Sequence, residues 1–180
     1  MSLIANFSPF PFLESERLLF RALILEDAPS VFELRNNEVA NAFIGRTKNS
    51  TMEESIEYIH KIQNYIKDND SIFWTIILKE NNQFIGTICL WNLDYEKNTV
   101  EVGYEMLPQY EGNGYMSEAI QTINYYGFNT MNASTIFACP SKANSKSVKL
   151  LERNNFIFDP IATANLPEAE NHLIAYRIDK

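Results

Sequence analysis

The sequence predicts an α/β (α+β) fold: a mixed, mostly antiparallel twisted sheet of about seven strands flanked by about four helices. Three observations predict it. First, Ile72 to Leu78, Phe84 to Trp91 and Thr99 to Met106 are rich in β-branched and aromatic residues and follow one another across short turns, as an antiparallel meander does. Second, segments of helical period flank that block on both sides. Third, a glycine turn after the meander leads into a long amphipathic stretch and then a short apolar run, the pattern of a strand-helix-strand parallel crossover.

Taken in order, Pro9 and Pro11 mark an extended lead-in over residues 1–12, and Arg17 to Leu23 reads as the first strand. Asp27 is placed to cap the next helix, with Pro29 in its first turn and Val31, Phe32 and Leu34 facing inward. Ser50-Thr51-Met52-Glu53 has capping-box spacing ahead of Ile56, Ile59, His60 and Ile62 at helical intervals, and that helix should end near Asn69-Asp70. The three meander strands come next, separated by the turns Asn81-Asn82 and Asp94 to Asn98. In the third of them, alternation puts Val100, Val102, Tyr104 and Met106 on one face and Glu101, Gly103 and Glu105 on the other. Tyr115 to Met131 is the long amphipathic helix, with Met116, Ile120, Ile123 and Tyr126 on its apolar side. Thr135 to Cys139 is a short buried strand, Asn144 to Asn154 a helix, and Phe156 to Asp159 and Leu173 to Ile178 are closing strands. No repeat or Gly/Ser-rich linker divides the 180 residues, so one domain is expected.

Composition narrows the function classes. A hydrophobic share of 46% with 21% charged residues is that of a folded globular chain rather than a disordered one. The formal net charge of −8 argues against a nucleic-acid binder, which needs a basic surface, and suits a cationic substrate such as an amine. Cys89 and Cys139 lie far apart in apolar runs and read as small buried residues, while His60 and His172 are isolated; no metal-ligand spacing is present. Residues 1–13 lack the basic start and apolar run of a signal peptide, and no apolar run approaches the roughly 20 residues needed to cross a bilayer. A cytoplasmic chain without a membrane partner is the expectation.

Of the six glycines in the chain, Gly112 and Gly114 stand one residue apart, after a strand and before a helix. There, backbone amides can converge on an anion with help from the helix dipole, although a G-x-G alone equally serves as a tight turn. A dinucleotide fingerprint would need an acidic residue at the end of a following strand, and a Walker loop would need Gly-Lys-Ser/Thr; neither is present.

The whole window Val102-Gly103-Tyr104-Glu105-Met106-Leu107-Pro108-Gln109-Tyr110-Glu111-Gly112-Asn113-Gly114-Tyr115-Met116-Ser117-Glu118-Ala119 resembles the coenzyme-binding motif of the GNAT superfamily of N-acetyltransferases, and more narrowly its RimJ/RimL-type branch. Glu16 to Arg21 with Glu26-Asp27-Ala28, Phe84 to Ile88, and Asn144 to Val148 followed by Leu151 to Phe156 resemble three further motifs of that branch, in order. The resemblance implies acetyl-CoA as co-substrate and no metal. It implies that the amides of Gly112, Asn113, Gly114 and Tyr115, continuing into Met116 and Ser117, hold the pyrophosphate. It further implies that backbone groups of Met106 and Leu107 pair with the pantetheine arm at a splay in the sheet. Asn144 matches a pantetheine-contacting position, and Ser147 a hydroxyl near the coenzyme sulfur.

Three residues depart from the branch's pattern: Glu111, where an aromatic is usual; Asn113, where a basic residue or Gln is usual; and Asn155, in place of a glycine. An acid beside a diphosphate repels it, so Glu111 is expected to point outward or to weaken binding. Lys142, Lys146, Lys149 and Arg153 near one side of the last helix are either a compensating cluster or a solvated face. Asn155 tolerates the left-handed conformation that its position requires.

Acetyl transfer to an amine needs a neutral nucleophile and a proton for the departing thiolate. An α-amine is cheaper to deprotonate at neutral pH than a lysine by about 3.5 kcal/mol. Glu101 is the first candidate base and Glu105 the second, against the alternative that both are solvent-facing carboxylates; Glu168 and Glu170 are outside candidates. Ser147 is the candidate to protonate or stabilise the thiolate, or else only satisfies local backbone groups. A tyrosine, often used for this task in similar enzymes, is missing at Val148, Leu150 and Leu151. The expected activity is N-acetylation of a protein or peptide N-terminal α-amine; a small amine acceptor or a non-catalytic acyl-CoA-binding domain are the alternatives. A homodimer stays open, because no self-complementary patch is visible in the sequence.

Overall fold

The sheet begins with the edge pair Leu13–Glu14 (β1) and Leu18–Arg21 (β2) and continues through Ile72–Leu78 (β3), Gln83–Asp94 (β4) and Thr99–Met106 (β5). It is completed by Thr135–Ala138 (β6), Ile157–Phe158 (β7) and Tyr176–Asp179 (β8). This is a computed structural model, and it describes residues 2–44 and 51–180. The eight strands of the described residues form one open sheet in the order β1-β2-β3-β4-β5-β6-β8-β7. Every pairing is antiparallel except β5 with β6, which is the crossover expected from the sequence. Among the described residues six α-helices accompany the sheet: Ala28–Asn36 (α1), Glu38–Ile44 (α2), Met52–Lys67 (α3), Tyr115–Asn129 (α4), Ser145–Arg153 (α5) and Pro160–Ala164 (α6).

Two apolar layers cover the two faces. On one, Met116, Ala119, Ile120, Ile123 and Tyr126 of α4 pack with Trp74, Ile88, Leu90, Val100 and Val102 of the meander. On the other, Val31 and Leu34 of α1 and Ile59 and Ile62 of α3 pack with Ile77, Phe84 and Leu107. The lead-in is part of the first layer: Leu3 and Phe7 are buried, Ile4 N–H donates to Met131 O at 2.7 Å, and Trp74 Nε1 donates to Pro11 O at 2.8 Å.

Several expectations need correction. β1, α2 and α6 are additional to the elements that the sequence pattern indicates. β1 has two residues, too few to show a period. α2 follows α1 after the single extended residue Asn37. α6 has a start signal in Asp159-Pro160: Asp159 accepts from Ala162 N–H at 2.8 Å ahead of Pro160. In α3 the cap is Thr51, accepting from Glu54 N–H at 3.3 Å, while Ser50 lies outside the described residues. On that helix Ile56 and His60 are exposed, and buried Ser55 joins Ile59 and Ile62 on the inner face. Asp27 does not cap α1 with its side chain; it accepts from Ile24 N–H and takes both Arg21 nitrogens at 2.7 Å. Cys139 is only half-buried, unlike Cys89.

Two features prepare the site. The β3–β4 ladder slips by one residue, so that Ile76 faces Gly86 and Ile77 faces Phe84, leaving Ile85 over as a bulge. Gly86 then lies so close to β5 that a Cβ there would overlap the carbonyl oxygen of Glu105. Gly86→Ala is expected to destabilise the fold by about 2 kcal/mol, read in a thermal melt as a midpoint lower by roughly 4–8 °C; an unchanged melt would mean that the strands close up differently. The second feature is the short reach of β6. It pairs with β5 only from Thr99 to Glu101, so β5 beyond Val102 has no described strand on that side.

Candidate active site

Past the open edge of β5 the chain makes a 3-10 turn, Pro108–Tyr110, and enters α4 through Gly112 at φ +80° and Gly114 at φ +79°. Both are left-handed conformations that glycine adopts without penalty. The N–H groups of Gly112, Asn113, Gly114, Tyr115, Met116 and Ser117 donate to no described residue; the first amide of α4 to find a partner is that of Glu118, on Gly114 O at 3.1 Å. Six consecutive unpaired donors at a helix N-terminus form a concave site for an anion.

The turn is braced from outside. Arg17 donates to Glu118 Oε2 at 2.7 Å and to Asn113 O at 3.0 Å, and its guanidinium stands 4.5 Å from the Tyr115 ring centroid. Burial alone would raise the Glu118 carboxyl, but hydrogen bonds from Ser15 and Arg17 and the Arg17 charge outweigh it and hold it below its ordinary value. The Glu118 carboxylate therefore anchors the Arg17 guanidinium at the turn. Sequence spacing gave no hint of this, because Arg17 and Glu118 are joined only through the sheet. Asn113 folds its own amide back onto Tyr110 O and Glu111 O, both at 3.2 Å. Glu111 does not simply point outward: Lys146 Nζ meets its Oε2 at 2.7 Å. One lysine of the basic cluster thus neutralises the misplaced acid, while Lys142 donates to Asn171 O.

Of the two residues expected along the pantetheine path, Leu107 is otherwise engaged. Its N–H donates to Ile85 O at 2.9 Å, its carbonyl accepts from Tyr110 N–H at 3.0 Å, and its side chain is buried. Strand alternation then turns the N–H and C=O of Met106 toward the open side. Ser117 Oγ donates to Asn154 Oδ1 at 2.9 Å, tying α4 to the end of α5, so its side chain belongs to the scaffold and only its amide faces the turn. Asn144 caps α5 by accepting from Ser147 N–H at 3.1 Å. Asn155, with φ +65°, has the left-handed conformation its position required.

Ser147 has a partner that the sequence did not reveal. Tyr104 OH and Ser147 Oγ are 2.8 Å apart, bringing a strand hydroxyl and a helix hydroxyl together beside the splay. Burial, partly offset by this hydrogen bond, pushes the Tyr104 phenol up to about 12, so at neutral pH the pair carries its full complement of protons.

Glu101 lies on the opposite face of β5. Asn92, itself left-handed at φ +51°, donates to Glu101 Oε2 at 3.2 Å. Burial raises the Glu101 carboxyl above its ordinary value, and the charge of Glu170 adds to this, against hydrogen bonds from Asn92 and Cys139. Burial, together with the charge and hydrogen bond of Glu101, pushes the Cys139 thiol up to about 12, so it remains a thiol beside the carboxylate. Glu105 shares the face four residues on and is half-buried. Glu168 and Glu170 form a 3-10 turn, and of the two Glu170 reaches Glu101 electrostatically. Among the described residues no group of three or more His, Cys, Asp or Glu could hold a metal ion, and no helix is long and apolar enough to cross a membrane.

The chain is similar to known proteins in sequence and in fold. A model of the acetyltransferase (GNAT) domain matches residues 17–157. An uncharacterized N-acetyltransferase of Bacillus subtilis, YoaA, is 30% identical over 147 residues, covering 82% of this chain and 83% of its own. Two solved structures share the fold. A ribosomal-protein-S5-alanine acetyltransferase of Vibrio fischeri has a TM-score of 0.76 at 22% identity, over 94% of this chain and 96% of its own. The ribosomal α-N-protein acetyltransferase RimL, solved with coenzyme A, has a TM-score of 0.76 at 16% identity, over 94% and 98%.

Proposed function

The chain belongs to the GNAT acetyltransferase family and is an acetyl-CoA-dependent N-acetyltransferase, and on that premise we propose that its acceptor is the α-amine at the N-terminus of a protein or peptide. The observation that carries the coenzyme site is the run of six unpaired amides from Gly112 to Ser117 beside the open edge of β5. In this reading those amides take the pyrophosphate, Met106 offers its backbone pair to the pantetheine arm, and Asn144 borders its path. The α-amine reading is supported by the half-buried carboxylate at the base position, whose value burial raises, because an amine of reference pKa 7.7–8.0 asks less of such a base than one of 10.4. The α-N-protein acetyltransferase that shares the fold supports it as well.

Glu101 receives the amine proton, directly or through one water, as the nitrogen attacks the acetyl carbonyl. The C–N bond forms and the C–S bond breaks. The departing thiolate takes its proton from Ser147 as Tyr104 OH passes its own proton to the serine, and the phenolate is then reprotonated from solvent. Ser147→Ala and Tyr104→Phe are each expected to lower kcat by about 10-fold or more, with the double variant little worse than either, because the two hydroxyls act as one unit. Additive losses would show that they act separately.

The proposal is tested by thiol release from acetyl-CoA with Ser-, Ala- and Asp-starting peptides beside polyamines, aminoglycosides and free amino acids. Turnover concentrated on peptides supports the α-amine reading. Turnover concentrated on a small amine overturns it, and coenzyme binding without release for any amine would make the chain a binding module.

A further inference from the structure

A cavity of about 300 Å³ opens on the Glu101 face of the sheet, lined by Tyr65, Asp70, Ser71, Phe73, Trp91 and Asn92. Nothing in the mechanism above uses it. It lies one side chain from the carboxylate: Asn92 is part of its wall and donates to Glu101. Trp91 pairs with Glu101 across the β4–β5 ladder, which puts both side chains on one face. The indole lies across Gly103, where a Cβ would come 3.5 Å from Trp91 Nε1, so this glycine leaves the space the ring occupies. Yet Trp91 remains 44% exposed, whereas Trp74, on the other face, is fully buried.

The chemistry of the wall selects an occupant. Three aromatic rings offer faces that attract a cation and an alkyl chain alike. Asp70, an exposed residue among those lining the cavity, has no side-chain hydrogen bond or ion pair with any described residue. Among the described residues no lysine or arginine lines the cavity. An ammonium is already drawn to this aromatic cluster from outside, with Lys61 Nζ standing 5.6 Å from the Tyr65 ring centroid. The net charge of −8 and the nearby Glu170 give the surroundings the same sign.

We propose that this cavity is the acceptor-side subsite for a lysine-like side chain close to the reacting amine, its alkyl stem lying on Phe73 and Trp91 and its ammonium reaching Asp70. The proposal rests on the acetyltransferase reading, with the acceptor amine at Glu101. It makes the enzyme selective for N-terminal segments that carry a cationic residue among their first few positions.

The test uses tetrapeptides with lysine, norleucine or glutamate scanned through the first three positions; norleucine keeps the stem and removes the charge. At one of these positions kcat/KM is expected to be about 10-fold higher for lysine than for norleucine, and lowest for glutamate. Trp91→Ala should reduce that preference mainly through KM, and Asp70→Asn should bring lysine down to the norleucine level. Binding is read independently of turnover by intrinsic fluorescence in the presence of CoA. Of the two tryptophans only Trp91 is exposed, so the lysine peptide should shift an emission component that Trp91→Phe removes. Equal rates for lysine and norleucine, a preference for glutamate, or turnover without a fluorescence response would overturn the subsite. A fluorescence response without acetylation of any peptide would leave the subsite standing and remove the peptide-acetyltransferase reading instead.

Discussion

Gly114→Val is expected to raise the dissociation constant for acetyl-CoA by about 30-fold or more in a protein that still melts cooperatively. Gly114 is the N-cap of α4 at φ +79°, and a β-branched residue there is a conformational outlier. A left-handed L-residue costs roughly 1–2 kcal/mol even without branching. Valine would relieve the strain by rotating the peptide units on either side, which carry the amides of Gly114 and Tyr115. Crowding is the smaller effect, since a Cβ would stand 3.5 Å from an Arg17 nitrogen, an ordinary contact. Gly112 offers a control. At φ +80° its missing Cβ would point into open space, so Gly112→Ala carries backbone strain without any clash and should weaken binding less. Calorimetric titration with acetyl-CoA measures both. Unchanged affinity in folded Gly114→Val would remove the turn from the coenzyme site. Lys146→Ala belongs in the same series: it frees Glu111 to repel the diphosphate, and its effect should shrink as salt is raised.

How much of this was legible in the sequence depended on distance along the chain. Ile72–Leu78 and Thr99–Met106 have the bounds that their composition and flanking turns indicated, because strand period and turn residues are local signals. The same alternation placed Glu101 and Tyr104 on opposite faces. It was silent on what they meet. Asn92, Cys139 and Glu170 reach Glu101 from three separate segments, and Ser147 reaches Tyr104 across a separation of 43 residues. Arg17 was legible as part of a motif but not as the brace of the glycine turn, because its partners Asn113 and Glu118 come to it only when β2 and the start of α4 lie side by side. Leu107 shows a further limit. A motif marks a stretch of backbone, but which of two adjacent residues turns its amide outward follows from strand register, and here the Ile85 carbonyl takes the amide of Leu107.

Glu101→Gln is expected to lower kcat by about 100-fold with little change in acetyl-CoA affinity, and to make the protein more stable at neutral pH. The two effects have one cause. Burial, with the Glu170 charge, raises the folded-state value of this carboxyl above its ordinary 4.5, so between those two values the folded protein holds a proton that the unfolded chain has released. The stability from that proton is complete below the ordinary value and is lost as pH rises through the folded one. At neutral pH the wild type therefore carries an ionised, desolvated carboxylate that glutamine does not. Glutamine also keeps an oxygen for the Asn92 amide and gains an amide donor where the Cys139 thiol had donated. Melting curves at pH 7 should place the variant above the wild type, and the gap should close near pH 4. In the rate profile, kcat/KM of the wild type should rise with pH through the elevated Glu101 value and again as the amine deprotonates near 7.7–8.0. The variant should retain only the second limb. A merely structural carboxylate would not produce that split, since its loss would shift stability without removing one limb of the rate profile. Unchanged turnover would pass the role of base to Glu105, and a variant less stable at pH 7 would mean that the carboxylate's hydrogen bonds outweigh its desolvation.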